Sequence, residues 1–186
     1  MKQKLKLIIG ITGFILLIGI AVVAYNMLSE QVRPDAVMVT QARTGRERRA
    51  MDFGMTDWDG NNIRLSNFIA RGTPIVINFW ASWCPPCVIE MPDFDRVYED
   101  LEGEVQFIML NLTDGMRETV EIGKRFIEEH NFSFPVLFDT RQEGARAYGI
   151  RSIPTSLFIN RDGFIVDEVI GMIDEQNLRR RIALIQ

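Results

Sequence analysis

Hydrophobic positions follow two regimes along this chain. The first is an unbroken run. Leu7 to Ala24 is 18 residues without a charge, about 27 Å long as a helix rising about 1.5 Å per residue. Tyr25, Met27 and Leu28 carry the run to near the thickness of a bilayer's hydrocarbon core. The second regime is periodic and starts at Met51. Phe53, Met55, Trp58, Ile63 and Leu65 flank Asp59-Gly60-Asn61-Asn62, and the Asp-Gly pair predicts a β-hairpin. After Gly72-Thr73-Pro74, the run Ile75 to Trp80 has the composition of a strand covered on both faces. Val88, Met91, Phe94, Tyr98 and Leu101 recur every three or four residues, which predicts one helix face, kinked at Pro92 and ended by Gly103.

Farther on, Val105 to Leu112 predicts a second strand, and Met116, Val120, Gly123 and Ile127 a second helix. Pro135 to Phe138 reads as a short strand and Arg141 to Tyr148 as a short helix. Ser156 to Asn160 and Phe164 to Ile170 are strands joined at Arg161-Asp162-Gly163, and Asp174 caps a last helix that turns Leu178, Ile182 and Ile185 inward. The order is a hairpin, then β-α-β-α-β-α, then β-β-α. It implies an α/β fold with parallel strands covered by helices on both faces and antiparallel strands added by the last hairpin.

Three segments follow: residues 1–28 as a membrane anchor, 29–50 as a polar linker, and 51–186 as one folded domain. Lys2, Lys4 and Lys6 precede the apolar run and no acid accompanies them, which favours a cytoplasmic N-terminus and an extracytoplasmic domain. Arg33, Arg43, Arg46, Arg48 and Arg49 on the far side weaken that bias. A cleaved signal peptide is the alternative, since Val22-Val23-Ala24 offers a small-residue site, but the run exceeds the about 7–15 residues of a secretory core. No cysteine follows it to carry a lipid.

Composition is that of a globular protein, with 47% hydrophobic and 25% charged residues. All 25 acidic residues and all but three of the 21 basic ones lie after residue 28. The domain is therefore acidic, which argues against a nucleic-acid partner.

The chemistry sits in Trp80-Ala81-Ser82-Trp83-Cys84-Pro85-Pro86-Cys87, which holds both cysteines of the chain. A disulfide closing so small a loop stabilises a fold little, so the pair is there to react by thiol–disulfide exchange. Cys84 falls where strand gives way to helix, and a helix N-terminus lowers a thiol's pKa. Pro85 and Pro86 suit a first helical turn. Cys87, one turn on, can attack a mixed disulfide and release product. Zinc would need four ligands, and the chain adds only His130, which reads as a surface residue at a helix end. Nothing points to a metal or organic cofactor. Trp80 reads as core, and Trp83, beside Cys84, as rim of the site.

The stretch Asn78 to Pro92, NFWASWCPPCVIEMP, resembles the active-site signature of membrane-anchored thioredoxin-like reductases of the ResA/TlpA/CcmG (DsbE) type. Asp59-Gly60 through Leu65, Phe134 to Asp139, Tyr148-Gly149-Ile150 and Ile153-Pro154-Thr155 occur in the family's order. The resemblance runs from about Asp52 to Gly171. It implies a thioredoxin-like fold with an N-terminal hairpin and a helix–strand segment inserted near residues 114–139. It also implies that Glu90, three residues after Cys87 and so on the same helix face, lies near the resolving sulfur. Partial burial would there raise its pKa and suit it to proton transfer. Pro154 matches the family's cis-proline, and the loop Ile153-Pro154-Thr155 is expected to bind an extended substrate with Trp83, Pro85 and Pro86. Ser152 stands where a glycine is common.

By this resemblance the activity is reductive. The implied substrate is the oxidised CxxCH of an apocytochrome c or another secreted protein's disulfide, with electrons from an integral-membrane dithiol protein. Two other readings are open. Peroxiredoxins share the fold, but they resemble one another in a Thr or Ser three residues before the reactive cysteine, where this chain has Ala81. A redox-inert, membrane-tethered binding module is the other.

Overall fold

The computed structural model describes residues 48–186 together with Leu16, Ile18 and Gly19. Apart from those three residues, the expected anchor and most of the linker lie outside the described residues. Among the described residues no helix is long and apolar enough to cross a membrane.

Among the described residues eight strands form one sheet: β1 (Arg48–Arg49), β2 (Gly54–Thr56), β3 (Asn62–Arg64), β4 (Ile75–Trp80), β5 (Gln106–Asn111), β6 (Val136–Phe138), β7 (Thr155–Ile159) and β8 (Phe164–Ile170). Their spatial order is β1-β8-β7-β4-β5-β6-β2-β3. Strands β4, β5 and β6 are parallel, which requires crossover connections. Helices α2 (Pro85–Asp100) and α3 (Val120–His130) supply them, and α1 (Leu65–Ile69), α4 (Glu143–Tyr148) and α5 (Glu175–Ile182) also pack in this unit. Strand β7 runs antiparallel to β4, and β8 antiparallel to β7. The β2–β3 hairpin closes antiparallel on β6.

Alternation along the strands sorts the core into two layers. Val76 and Trp80 of β4, Phe107 and Met109 of β5, and Phe158 of β7 pack with Met91, Phe94 and Val97 of α2 and with Leu178 and Ile182 of α5. Ile75, Ile77 and Phe79 of β4, with Ile108, Leu110 and Leu157, face the other way onto Phe53, Met55, Leu65 and Tyr148. The mixed α/β architecture expected from the element order is present, in the thioredoxin-like arrangement that the resemblance implies.

Four details differ. The sheet begins at Arg48, not Met51: Arg48 and Arg49 pair with Ile165 and Phe164, the Ala50 N–H reaches the Gly163 carbonyl at 2.8 Å, and Arg48 meets Glu168 at 3.0 Å. The expected linker thus runs three residues past the start of the sheet, because two arginines carry no period-2 signal. Helix α1 is also unforeseen, being shorter than two turns. Helix α2 ends at Asp100, before the expected stop at Gly103, and holds Pro92 within it. Met116 does not join the apolar face of α3 and is 84% exposed. The Asp114 Oδ1 accepts the N–H groups of Met116, Arg117 and Glu118, which holds that stretch as a turn. The helix starts only after Thr119, whose hydroxyl accepts the Ile122 N–H.

Candidate active site

Strand β4 runs into α2 through a turn, and the cysteines sit at its end. Cys84 is the N-cap of α2 with an extended backbone, and Pro85 and Pro86 fill the first two helical positions, where the missing N–H groups would have had no intrahelical partner. The Cys87 N–H points at the Cys84 Sγ, 3.3 Å away. The two cysteines are joined in a disulfide, with Cα atoms 5.3 Å apart, so this is the oxidised form. On reduction, that same N–H and the positive end of a 16-residue helix face the Cys84 sulfur, and no acidic residue occupies the first turn. Both influences favour thiolate over thiol.

Trp83, Pro85 and Pro86 are exposed around the pair, as a substrate-facing rim requires. Cys84 and Cys87 themselves are 3% and 1% exposed, in the apolar layer that includes Trp80 and Met91. Trp80 is buried core, and Ala81 beside it is buried with no hydroxyl to offer a peroxide.

Glu90 goes further than the expected partial burial, at 1% exposed. Its Oε1 accepts the Asn78 Nδ2–H at 2.8 Å, and its Oε2 accepts the Ile173 N–H at 2.9 Å. Burial pushes its pKa up to about 7, against the pull of those two hydrogen bonds and with help from the Asp93 charge. A carboxyl one turn beyond Cys87 that changes state near neutrality is suited to exchange a proton with a thiol.

The Ile153–Pro154 peptide is cis, matching the resemblance. The roles within this loop shift, however. The Pro154 carbonyl already accepts the Gly171 N–H at 2.8 Å. Thr155 is 2% exposed, starts β7, and donates its hydroxyl to the Ser152 carbonyl at 2.7 Å. The Thr155 side chain, expected to meet substrate, is thus turned into the protein with its hydroxyl engaged. Among the described residues the backbone of Ile153 takes no hydrogen bond, and its side chain packs partly buried against the layer that holds the cysteines. Ile153 is the residue of this loop left to meet a partner chain.

A second buried carboxylate lies behind the turn that carries Cys84. Glu118, 0% exposed, accepts the Ser82 N–H and hydroxyl on Oε2, at 3.2 and 2.6 Å, and the Asn111 Nδ2–H on Oε1 at 2.6 Å. Thr113 completes the group through the Asn111 Oδ1 at 2.9 Å. The neighbouring Arg117 lies over the Trp83 ring at 4.0 Å. The inserted segment therefore buttresses the redox turn from behind and covers one face of its tryptophan. Sequence reasoning passed over Asn78, Asn111, Arg117 and Glu118. The two asparagines carried a signal, since each is a polar residue closing or breaking a buried, apolar strand. Glu118 and Arg117 come from a loop and carried none.

His130 is exposed, as expected, with Nδ1 2.8 Å from the Phe126 carbonyl and its ring stacked on Phe126 at 4.2 Å. Among the described residues no cluster of three or more His, Cys, Asp or Glu side chains is arranged to hold a metal ion.

Known proteins resemble this chain over the same region. Residues 47–168 match the AhpC/TSA family. The thiol-disulfide oxidoreductase ResA of Halalkalibacterium halodurans is 35% identical over 146 residues, 78% of each chain. ResA of Geobacillus kaustophilus is 26% identical over 187 residues, covering 100% of this chain and 99% of that one. The crystal structure of StoA from Bacillus subtilis superposes with a TM-score of 0.61 at 30% identity, over 70% of this chain and 96% of that one. With a disulfide-forming Cys84–Cys87 pair at a helix N-terminus and these relatives, the chain belongs to the AhpC/TSA family and is a thioredoxin-like thiol–disulfide oxidoreductase of the ResA kind.

Proposed function

We propose that the chain is a membrane-tethered reductase of protein disulfides that works outside the cytoplasm, on the oxidised CxxCH of an apocytochrome c or a similar secreted dithiol. The observation that carries this reading is the Glu90 carboxyl, buried one turn from Cys87 and poised near neutrality.

The Cys84 thiolate attacks one sulfur of the substrate disulfide. A Cys84–substrate disulfide forms and the other substrate sulfur leaves as thiolate. Cys87 passes its proton to the Glu90 carboxylate and attacks the Cys84 sulfur, which forms the Cys84–Cys87 disulfide and frees the second substrate thiolate. Two electrons move from the cysteine pair to the substrate, whose two thiolates take up protons. The cis-Pro154 loop, through Ile153, and the rim of Trp83, Pro85 and Pro86 hold the substrate strand during attack. A dithiol carried by an integral-membrane protein then returns the two electrons to the pair. Support for tethering comes from the uncharged run Leu7 to Ala24 behind three lysines. Support for the reductive direction comes from the resemblance of Asn78 to Pro92 to the signature of the thioredoxin-like reductases.

A Cys87→Ser variant should accumulate a mixed disulfide through Cys84 whose partner, identified by mass spectrometry, carries CxxCH or a comparable secreted dithiol. Glutathione titration should place the pair well below about −120 mV, where strong oxidants lie. A value at or above that figure, or turnover unchanged in Cys84→Ser, would overturn the reading. In intact cells, a membrane-impermeant alkylating reagent should label the reduced cysteines, which tests the extracytoplasmic placement.

A further inference from the structure

All six residues of β4 are buried, and Asn78 is the one that is not apolar. It faces α2, on the side of Val76 and Trp80. Both hydrogens of its Nδ2 are engaged, one by the Glu90 Oε1 at 2.8 Å and one by the Ser156 Oγ at 3.0 Å. Ser156 is also its register partner on β7. The Asn78 Oδ1, in contrast, is buried without a hydrogen-bond partner among the described residues. An unpaired buried acceptor works against folding, and an apolar side chain here would avoid it. The amide is therefore explained by what Nδ2 does. That group fixes the Glu90 carboxyl from the strand side, while the Ile173 N–H fixes its other oxygen at 2.9 Å. Two donors on different elements hold a side chain that would otherwise rotate on its helix.

We propose that Asn78 is a positioning residue, which holds the Glu90 carboxyl in the orientation from which it exchanges a proton with Cys87 and so sets the pH range of the resolving step. The inference rests on the proton-transfer role given to Glu90 above. The charged groups around Glu90 are few. Asp93 is on its own helix, pairs with Arg96, and accepts the Glu175 N–H of α5 at 3.0 Å. Arg96 also pairs with Glu175 at 3.1 Å. Toward Glu90, β4 and β7 present Asn78 and Ser156, neither charged, and the segment before α5 presents the Ile173 N–H.

Hydrogen bonds to an ionised acceptor are roughly twice as strong as neutral ones. The Asn78 donor therefore favours the carboxylate, which is the form able to accept the Cys87 proton. Without it, Glu90 keeps its proton to higher pH. An aspartate in its place would set two carboxyls within hydrogen-bond reach, which titrate as a coupled pair.

The test uses the full-length protein as wild type, Asn78→Ala, Asn78→Asp, Glu90→Gln and the Asn78→Ala, Glu90→Gln double variant. The readout is the release of thionitrobenzoate from its mixed disulfide with Cys84, which follows the Cys87 attack, measured across the pH range bracketing neutrality. Infrared absorption of the protonated carboxyl tracks Glu90. Asn78→Ala should move the midpoint upward and slow release near neutral pH by about tenfold, the effect of one pKa unit. Asn78→Asp, which keeps the side-chain shape and serves should the alanine variant fail to fold, should split the profile into two steps. In the Glu90→Gln background the alanine change should add nothing to the profile. If Asn78→Ala lowers thermal stability equally in both backgrounds and leaves the midpoint in place, the positioning role is refuted and Asn78 is structural. A Glu90→Gln profile identical to wild type would instead refute the role of Glu90, and that of Asn78 with it.

Discussion

Replacing Glu90 by Gln removes a buried group that titrates and leaves one of nearly the same shape that does not. In the folded oxidised protein the Glu90 pKa is raised from an ordinary 4.5 to about 7, chiefly by burial. The folded state therefore holds this proton more tightly than the unfolded chain does. The stabilisation from that tighter binding is fully present below about pH 4.5, falls as pH rises, and is gone above about pH 7. Moving an acid between those values is worth about 3 kcal/mol at about 1.4 kcal/mol per pH unit, and Glu90, at 1% exposed, has little solvent screening to discount it. A neutral glutamine pays no such charge penalty. Its amide can be accommodated, because a half-turn of the Asn78 side chain would present the unpaired Oδ1 to the new NH₂. Urea unfolding of the oxidised protein at pH 5 and pH 8 checks this. Wild type should lose most of that 3 kcal/mol between the two, while Glu90→Gln should lose far less and be the more stable of the pair at pH 8. Parallel losses in both proteins would refute the reasoning, since the pH dependence would then reside in other groups.

Other perturbations follow from the same geometry. Glu118→Ala should strand the Ser82 N–H and hydroxyl and the Asn111 amide, lowering stability by about 3 kcal/mol or more at about 1–3 kcal/mol per unsatisfied buried group, read as a lower urea midpoint at unchanged slope. Gly144→Ala should also destabilise, by about 1–3 kcal/mol. A Cβ there would sit 2.7 Å from Phe53 and 3.0 Å from Leu110, and the helix-propensity gain of about 1 kcal/mol does not offset that overlap in a thermal melt. Arg117→Ala should leave stability within about 0.5 kcal/mol of wild type, since an exposed cation–π pair contributes little. It should nevertheless open the Trp83 face to aqueous quenchers in fluorescence, because the guanidinium now lies 4.0 Å over that ring.

The sequence by itself determined a good deal of this protein. The short apolar run Ile75 to Trp80 and the three-and-four spacing from Val88 to Leu101 mark β4 and α2. Both signals are local, a buried strand read from a few consecutive apolar residues and a helix face from a period of 3.6. The cysteine spacing fixed the reaction class for the same reason, since helix geometry over four residues brings the two sulfurs together. Local signals were weakest where elements are short or polar, as at β1 and α1, and where side-chain bonds closed a turn ahead of α3. What the tertiary structure alone decided is the chemical environment of the reacting groups. Glu90 takes its partners from Asn78, 12 residues back, and from Ile173, 83 residues on. Glu118 reaches 36 residues back to Ser82, and Thr155 takes a buried sheet position between Phe79 and Ile170. Such partners are chosen by strand register and helix packing. Each depends on the summed burial of residues far apart in the chain, which no local window of the sequence contains.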